Sequence, residues 1–549
     1  MAAVLVALTV LPFAAAVVST FASVRLSKLL AVATGVACFG LSVALVPSVL
    51  DHVRVAAGGE LRVDALSAVF LLATSFLYAT TAVFAAGYLQ LEQGPTGTRY
   101  GRRFYAGFHL FCWAMVATPL VNGLALLWVA IEVTTVVSAL LVAIDDTDRS
   151  TEAAWKYVLI ASLGLGIALL ATILMYYAGS TVFGTGYDLA YSKLLSGAHQ
   201  FPPDVVRLAF VLSVLGFGTK MGLAPVHTWL PDAHSEAPTP VSALLSGALL
   251  ALAFYAILRY YQIAERTLGS AYPRNVLLVF GIASLLLAAL YLVRQRDIKR
   301  MLAYSSVEHM GIVAIGMSFG VPLAIVGVLL HVLAHAAAKG TAFFGAGSVV
   351  RKYGTKDMTR IRGGTTALPW SGPLLVAAVL ALSAAPPFGI FRSEFLIVAG
   401  GLSDPRYAVA AVLVVLVTLA FLGLSWSTTR TMLAPTAQLV PVPPALAPTA
   451  VGAAVVGAGA SAGAPDAGTG SAGASATTAV IDRPNVPSER PSDVASGDGT
   501  VAVARGEVSG WIVASMVVGV AALVLLGVHL PATLSELLDH AARELQVVR

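Results

Sequence analysis

Residues 217–247 read FGTKMGLAPVHTWLPDAHSEAPTPVSALLSG. Lys220 lies inside an apolar run, five residues before the helix-breaking Pro225, and His227, Asp232, His234 and Glu236 follow before a new apolar run begins. A cation within hydrocarbon is costly, and non-helical backbone at membrane depth persists only where protein or a water-filled cavity surrounds it. The stretch therefore predicts a broken transmembrane helix that presents a titratable lysine to an internal proton path.

The chain around it is 549 residues long, 58% hydrophobic and 11% charged, with a mean hydropathy of +0.85. Apolar runs long enough to span a bilayer recur from end to end, so domain counts based on soluble proteins do not apply. The first run, Val4 to Phe21, has no basic segment before it and no polar domain after it; it reads as a permanent span and not a cleaved signal. Cys38 and Cys112 are the only cysteines and each sits in an apolar run, which excludes a disulfide framework and thiolate metal chemistry. The net charge of +5 sits mostly in loops, where it orients the chain in the bilayer and does not imply nucleic acid.

Spans are expected near residues 3–21, 29–50, 65–87, 104–122, 124–143, 155–177, 205–224, 239–260, 275–293, 302–319, 321–349, 368–399, 406–433 and 508–529. The predicted fold is an all-α polytopic membrane protein of about fourteen transmembrane helices, with two inverted repeats of five helices, each containing a broken helix. The divisions are 1–103 for three N-terminal helices, 104–260 and 274–434 for the repeats, 435–507 for a low-complexity loop, and 508–549 for the last span and a short tail. Basic clusters at Arg99, Arg102 and Arg103, at Arg294, Arg296, Lys299 and Arg300, and at Arg351, Lys352, Lys356, Arg360 and Arg362 fall in loops of one parity. The positive-inside rule puts these loops in the cytoplasm and both termini on the outer side of a cell membrane. Arg259, Arg266 and Arg274 run against that pattern.

The segment 435–507, rich in Gly, Ala, Ser, Pro and Thr, is expected to be a disordered loop and not a nucleotide fingerprint, since no strand precedes it. Thr533 to Arg549 can form an amphipathic helix, with Thr533 and Glu536 in a capping box, lying on the membrane surface or on a partner.

Buried titratable groups with water between them carry protons, because burial and neighbouring charge together decide which of them are ionised. Glu132 lies near mid-bilayer in LLWVAIEVTTVVSALLV, with Lys220, two spans later, as its expected partner. Lys156 opens the sixth span and can serve entry or snorkel to the interface. His331, His335 and Lys339 follow at steps of four, on one helix face, and form a candidate proton ladder. A metal on the His331–His335 pair is the competing reading, but the sequence places no third ligand nearby, so no metal site is expected. Glu308 and His309, in MLAYSSVEHMG, can link the cytoplasm to the interior, as can His227, Asp232 and His234. Glu394 follows the Pro386–Pro387 break and would end the path. No nucleophile–base arrangement stands out, so no catalytic residue is expected in this chain.

These motifs resemble the antiporter-like family shared by the membrane arm of respiratory complex I, multisubunit sodium/proton antiporters and energy-converting hydrogenases. The resemblance covers the chain to about residue 434 and rests on IEVTTVVSALL, EAAWKYVL, the 217–247 run, RDIKRMLAYSSVEHMG, HVLAHAAAKGTAFFGAGSV and FRSEF. Within the family, EAAWKYV and AYSSVEHMG are most similar to the hydrogenase-four F component. The resemblance implies a proton-translocating subunit of a hydrogenase or complex-I-like (NADH-quinone oxidoreductase-like) complex. It implies no cofactor in this chain, other membrane subunits and a peripheral redox arm as partners, and a Glu132–Lys220 charge pair, with His331, His335 and Lys339 relaying and Glu394 at the exit. A multisubunit sodium/proton antiporter without redox partners is the alternative. Two departures stand out: Ala251 occupies the place where the family often carries a lysine, and the tail after the last span is too short for a long lateral helix.

Overall fold

The computed structural model describes residues 1–89, 95–435 and 503–546. The loop expected over 435–507 therefore lies almost wholly outside the described residues. Helices α1 (Ala2–Phe21) and α2 (Val24–Asp51) lead into a short hairpin, β1 (Arg54–Ala56) and β2 (Leu61–Val63), paired antiparallel with Arg54 opposite Val63. Then come α3 (Ala65–Tyr88), α4 (Pro95–Ala117), α5 (Leu124–Val142), α6 (Asp148–Phe183), α7 (Tyr191–Gly197), α8 (Pro203–Met221) and α9 (Trp229–Glu236). Helix α10 (Thr239–Leu244) continues through a π-helical turn, Leu245–Leu249, into α11 (Leu250–Leu268). Beyond it lie α12 (Ala271–Leu292), α13 (Ile298–Phe319), α14 (Pro322–Tyr353), α15 (Gly364–Ala367), α16 (Ser371–Leu382), α17 (Gly389–Ser403), α18 (Tyr407–Met432), α19 (Gly510–Val528) and α20 (Ala532–Glu544).

Among the described residues ten helices are long and apolar enough to cross a membrane. Their exposure sorts them into layers. The Thr239–Leu268 rod is 100% buried over its apolar window, whereas α18 is 28% buried and turns exposed Val415, Leu422 and Trp426 outward. Hydrocarbon is as apolar as these side chains, so helices associate where small residues let backbones approach. A Cβ on Gly216 of α8 would stand 2.5 Å from the Ala168 backbone nitrogen of α6, and one on Gly400 of α17 would stand 2.7 Å from that of Ala324 on α14. Helix α3 joins the two regions: the Leu77 side chain faces both Gly247 and Gly340, and Phe84 stacks on Phe344 with ring centroids 4.3 Å apart.

Both expected breaks are present. Helix α8 stops at Gly222, whose φ of +84° suits glycine, and Leu223 N donates to Gly218 O at 2.8 Å. The freed Thr219 carbonyl accepts from Trp229 Nε1 at 2.8 Å, and Ala224 N donates to Ser284 Oγ at 2.9 Å. Backbone polar groups at membrane depth are thus met inside the protein. The second break runs from Ser383 to Phe388 between α16 and α17, where Ala385 N donates to Leu380 O at 3.0 Å.

The tail is corrected by the fold. Helix α20 packs on its own chain, burying Leu537, Leu538 and Ala541 completely, and its N-cap is Pro531 with no side-chain cap bond from Thr533 or Glu536. Its amphipathic stripe is answered by α3 and α14. Glu544 accepts from Ala65 N and Leu66 N at 3.1 Å each, capping α3 beside Asp64. Burial, with the Asp64 charge adding to it, pushes the Glu544 carboxyl up to about 7, against Arg259 and the two backbone donors. A carboxyl raised from 4.5 stabilises the docked tail most fully below pH 4.5, and that contribution declines as pH rises towards about 7. Protection of residues 532–544 against hydrogen exchange, taken relative to the intrinsic rate at each pH, should therefore be greater at pH 5.5 than at pH 8. Glu544→Gln should remove the difference. Equal protection of the native tail at both pH values would contradict it.

The three arginines that broke the basic pattern are also explained. Arg259 is buried on Asp64, Arg266 donates to Leu195 O at 3.1 Å, and Arg274 lies 3.6 Å from Glu265. They tie elements together and are not free loop charges.

Candidate functional site

Lys220 sits at the last turn of α8, fully buried, where the break turns its side chain into the bundle. Its ammonium donates to Thr135 Oγ1 at 2.8 Å and to the Tyr157 hydroxyl, which in turn meets Ser138 Oγ at 2.7 Å. Glu132, Thr135 and Ser138 follow at steps of three on α5 and so share a face. Yet Glu132 is only half-buried and turns to Ser162 Oγ at 3.5 Å, leaving Oε2 without a partner. Among the described residues no ion pair joins Glu132 to Lys220, so the expected pair faces across hydroxyls and is not in contact.

Similar chemistry surrounds the second buried lysine. Lys339, fully buried on α14, donates to Leu302 O at 2.9 Å and to Ser305 Oγ on α13. Glu308 lies one turn further along α13, 3% exposed, with Oε2 unpartnered. His309 Nδ1 is 3.1 Å from His331 Nε2, whose other nitrogen is 3.0 Å from Ser393 Oγ. Glu394 Oε1 is 3.9 Å from His309 Nδ1. His335 stands beside them, its ring centroid 5.2 Å from that of His309, and neither of its nitrogens has a partner. The sequence offered His331 and His335 no third metal donor; the fold brings His309 and Glu394 to them from two other helices.

His234 is fully buried, and neither of its nitrogens has a hydrogen-bond partner. Its ring lies 6.3 Å from Trp229, which packs 4.5 Å from Tyr157, and 5.6 Å from Phe343. Ala251 is buried on the enclosed α11. Close by, Ser246 Oγ in the π-helical turn bonds Ser306 Oγ at 2.7 Å.

Other candidates fall elsewhere. Lys156, 48% exposed, bonds Glu152 at 2.7 Å and Asp232 at 3.3 Å, and Asp232 also takes Arg300. They form a rim clamp and not a buried relay. His227 is buried in the first break against Tyr304, with ring centroids 6.5 Å apart. The sequence did not single out the hydroxyls of Thr135, Ser138, Tyr157, Ser305 and Ser393, although Thr135 and Ser305 lie three residues from Glu132 and Glu308, and Tyr157 and Ser393 stand beside Lys156 and Glu394.

The family model for "NADH:quinone oxidoreductase/Mrp antiporter, TM" matches residues 121–422, which carry both broken helices and both buried lysines. The chain belongs to this family. A family relative, the hydrogenase-4 component F homolog of Methylacidiphilum infernorum (isolate V4), is 37% identical over 364 residues, covering 66% of this chain and 76% of that protein. A chain of the Mrp complex from Dietzia sp. DQ12-45-1b superposes with a TM-score of 0.79 at 22% identity, covering 99% of this chain and 97% of the other. A chain of respiratory complex I from Thermus thermophilus superposes with a TM-score of 0.73 at 20% identity over 99% of this chain and 100% of that one. These two likenesses establish the family fold, and the polytopic helical architecture expected from the motifs is met.

Proposed function

We propose that this chain is a proton-translocating membrane subunit of a hydrogenase or complex-I-like oxidoreductase. The observation that carries the reading is a pair of fully buried lysines, Lys220 bonded to the Thr135 and Tyr157 hydroxyls and Lys339 to the Leu302 carbonyl and the Ser305 hydroxyl, with no carboxylate bonded to either among the described residues. A lysine so held can give up and regain a proton without breaking an ion pair, and intramembrane ionisable groups mark ion pathways. The path runs from the rim at Lys156, Asp232 and His227 to Lys220, with Glu132 setting the field around it. It continues through His234, in the gap where Ala251 lacks an amine, to Lys339 and Glu308, and then along His309, His331, His335 and Glu394 towards the opposite side. Redox chemistry belongs to partner subunits in this reading, and each proton moves against a potential that costs about 2.3 kcal/mol per charge per 100 mV.

The same reading takes fourteen crossings, counting α4, α13 and the two broken helices α8–α9 and α16–α17 with the ten apolar ones. Both termini lie on the outer side of the cell membrane. The glycine seams of α6 with α8 and of α14 with α17, each beside a broken helix, support two related five-helix halves.

A second reading, a subunit of a multisubunit sodium/proton antiporter, is supported by the superposition on the Mrp chain, at a TM-score of 0.79 against 0.73 for the complex I chain. Isolating the tagged chain from membranes decides between them. Co-purifying nickel or iron–sulfur subunits, with proton uptake that stops when the electron donor is withheld, is the expected result. Sodium-dependent proton flux in a preparation lacking redox subunits would replace the first reading with the second.

A further inference from the structure

We propose that His309, His331 and Glu394, with the His335 ring packed beside them, form a binding site for a divalent transition-metal ion of the zinc class. One donor atom from each of the first three lies within 4.8 Å of the others, and all three residues are buried. Donors around a tetrahedral zinc, with Zn–N of about 2.0–2.1 Å, stand about 3.3 Å apart. The His309–His331 separation of 3.1 Å and the His309–Glu394 separation of 3.9 Å bracket that value, so small rotamer changes suffice.

Three independent features point to a ligand. First, buried polar atoms are ordinarily hydrogen-bonded, yet Glu394 Oε1 and, beside the cluster, both His335 nitrogens have no hydrogen-bond partner. Second, the far nitrogen of His331 meets Ser393 Oγ at 3.0 Å, which supplies the outer-shell contact that ligating histidines use to fix ring orientation. Third, Glu394 lines a cavity of about 520 Å³ bounded by Ser383 and Pro386 of the second helix break and by Phe391, so this one donor borders open space. Two imidazoles with one carboxylate suit zinc and its neighbours and not the hard cations that prefer all-oxygen shells.

An ion held there occupies the nitrogens through which His309 and His331 face each other. It would stop proton passage at that point, a consequence that rests on the proton-path reading; the binding itself does not. The full chain, purified in detergent and stripped with a chelator, is titrated with Zn²⁺ by calorimetry and with Co²⁺ by visible absorption. One saturable site per chain is expected. His331→Ala and Glu394→Gln should each weaken it by at least tenfold, Ser393→Ala by about tenfold, and His109→Ala, a buried histidine on α4, not at all. No saturable binding, or equal affinity in the His331 and Glu394 variants, overturns the site, as does equal loss in the His109 variant. Should the variants fail to fold, X-ray absorption of the zinc-loaded native chain reads the shell directly: two or three imidazoles support the site and fewer than two overturn it. Absent zinc binding would leave the Lys220 path standing, while zinc binding in a chain whose transport ignores Lys220 would leave this site standing alone.

Discussion

In a complex carrying Lys220→Met, proton translocation is expected to fall at least a hundredfold while assembly, judged by size exclusion and thermal melting, stays close to native. Methionine matches the lysine stem in length and apolar packing but offers no proton. The neighbours keep partners without it: Thr135 Oγ1 still reaches Ile131 O at 3.3 Å and the Tyr157 hydroxyl still meets Ser138 Oγ at 2.7 Å. A proton must then cross the gap as an uncompensated charge in a buried site, which costs several kcal/mol per ion even after relaxation. Each 1.36 kcal/mol is a factor of ten in rate, so a barrier raised by about 3 kcal/mol already gives a hundredfold. Lys220→Arg separates titration from charge alone. A guanidinium is always ionised, so it preserves the field at Glu132 yet cannot release its proton, and transport should remain blocked. Native proton flux in vesicles of the Met variant would sink the assignment of Lys220, and native flux in the Arg variant would show that only its charge matters.

Why Lys220 was legible in the sequence and its partners were not has a physical cause. A lysine inside an apolar run beside a proline contradicts its surroundings, and the contradiction is visible in one dimension. The same holds for the apolar runs behind the ten helices long enough to cross a membrane, and for both breaks, which fell at Pro225 and at Pro386–Pro387. Hydroxyls carry no such contradiction. Thr135 and Ser138 are ordinary in an apolar helix, where they bond their own backbone, and only the approach of α8 and α6 gives Thr135 the Lys220 ammonium and Ser138 the Tyr157 hydroxyl. The histidine–carboxylate cluster was hidden for another reason. His309, His331 and Glu394 come from three helices, and no periodicity relates residues that tertiary packing brings together. The tail shows a third limit: the leucine stripe on α20 announced a buried face but not that the chain's own α3 and α14 would cover it.

The largest loss of stability is expected away from the ion path, at Arg259. This arginine is 1% exposed and donates to Asp64 Oδ1 at 2.6 Å, Ser67 Oγ at 2.9 Å, the Tyr255 hydroxyl at 3.0 Å and Gln262 Oε1 at 3.1 Å. Gln262 holds the Glu544 carbonyl at 2.8 Å, so one guanidinium ties α3, α11 and α20 together. Burial would raise the Asp64 carboxyl, but Arg259 and then Arg62, at 2.8 Å, hold it well below the usual carboxylate range. Arg259→Met leaves Asp64 2% exposed with one arginine and the Ser67 amide, and breaking a buried pair in this way costs about 3–5 kcal/mol. Total stabilities of folded proteins are of the order of 5–15 kcal/mol, so the variant should melt many degrees lower. Adding Asp64→Asn should recover part of the loss, because the stranded charge is gone; a double-mutant cycle reads the coupling. The pH dependence should also change sign. In the native chain Asp64 contributes stability above its unfolded value near 3.8 and loses it as pH falls through a lower folded value. Without Arg259 burial governs, the folded value moves up, and stability should decline as pH rises through it. A variant that melts within about 1 kcal/mol of native, with an unaltered slope against pH, would show that Arg62 alone holds Asp64 and that Arg259 serves packing.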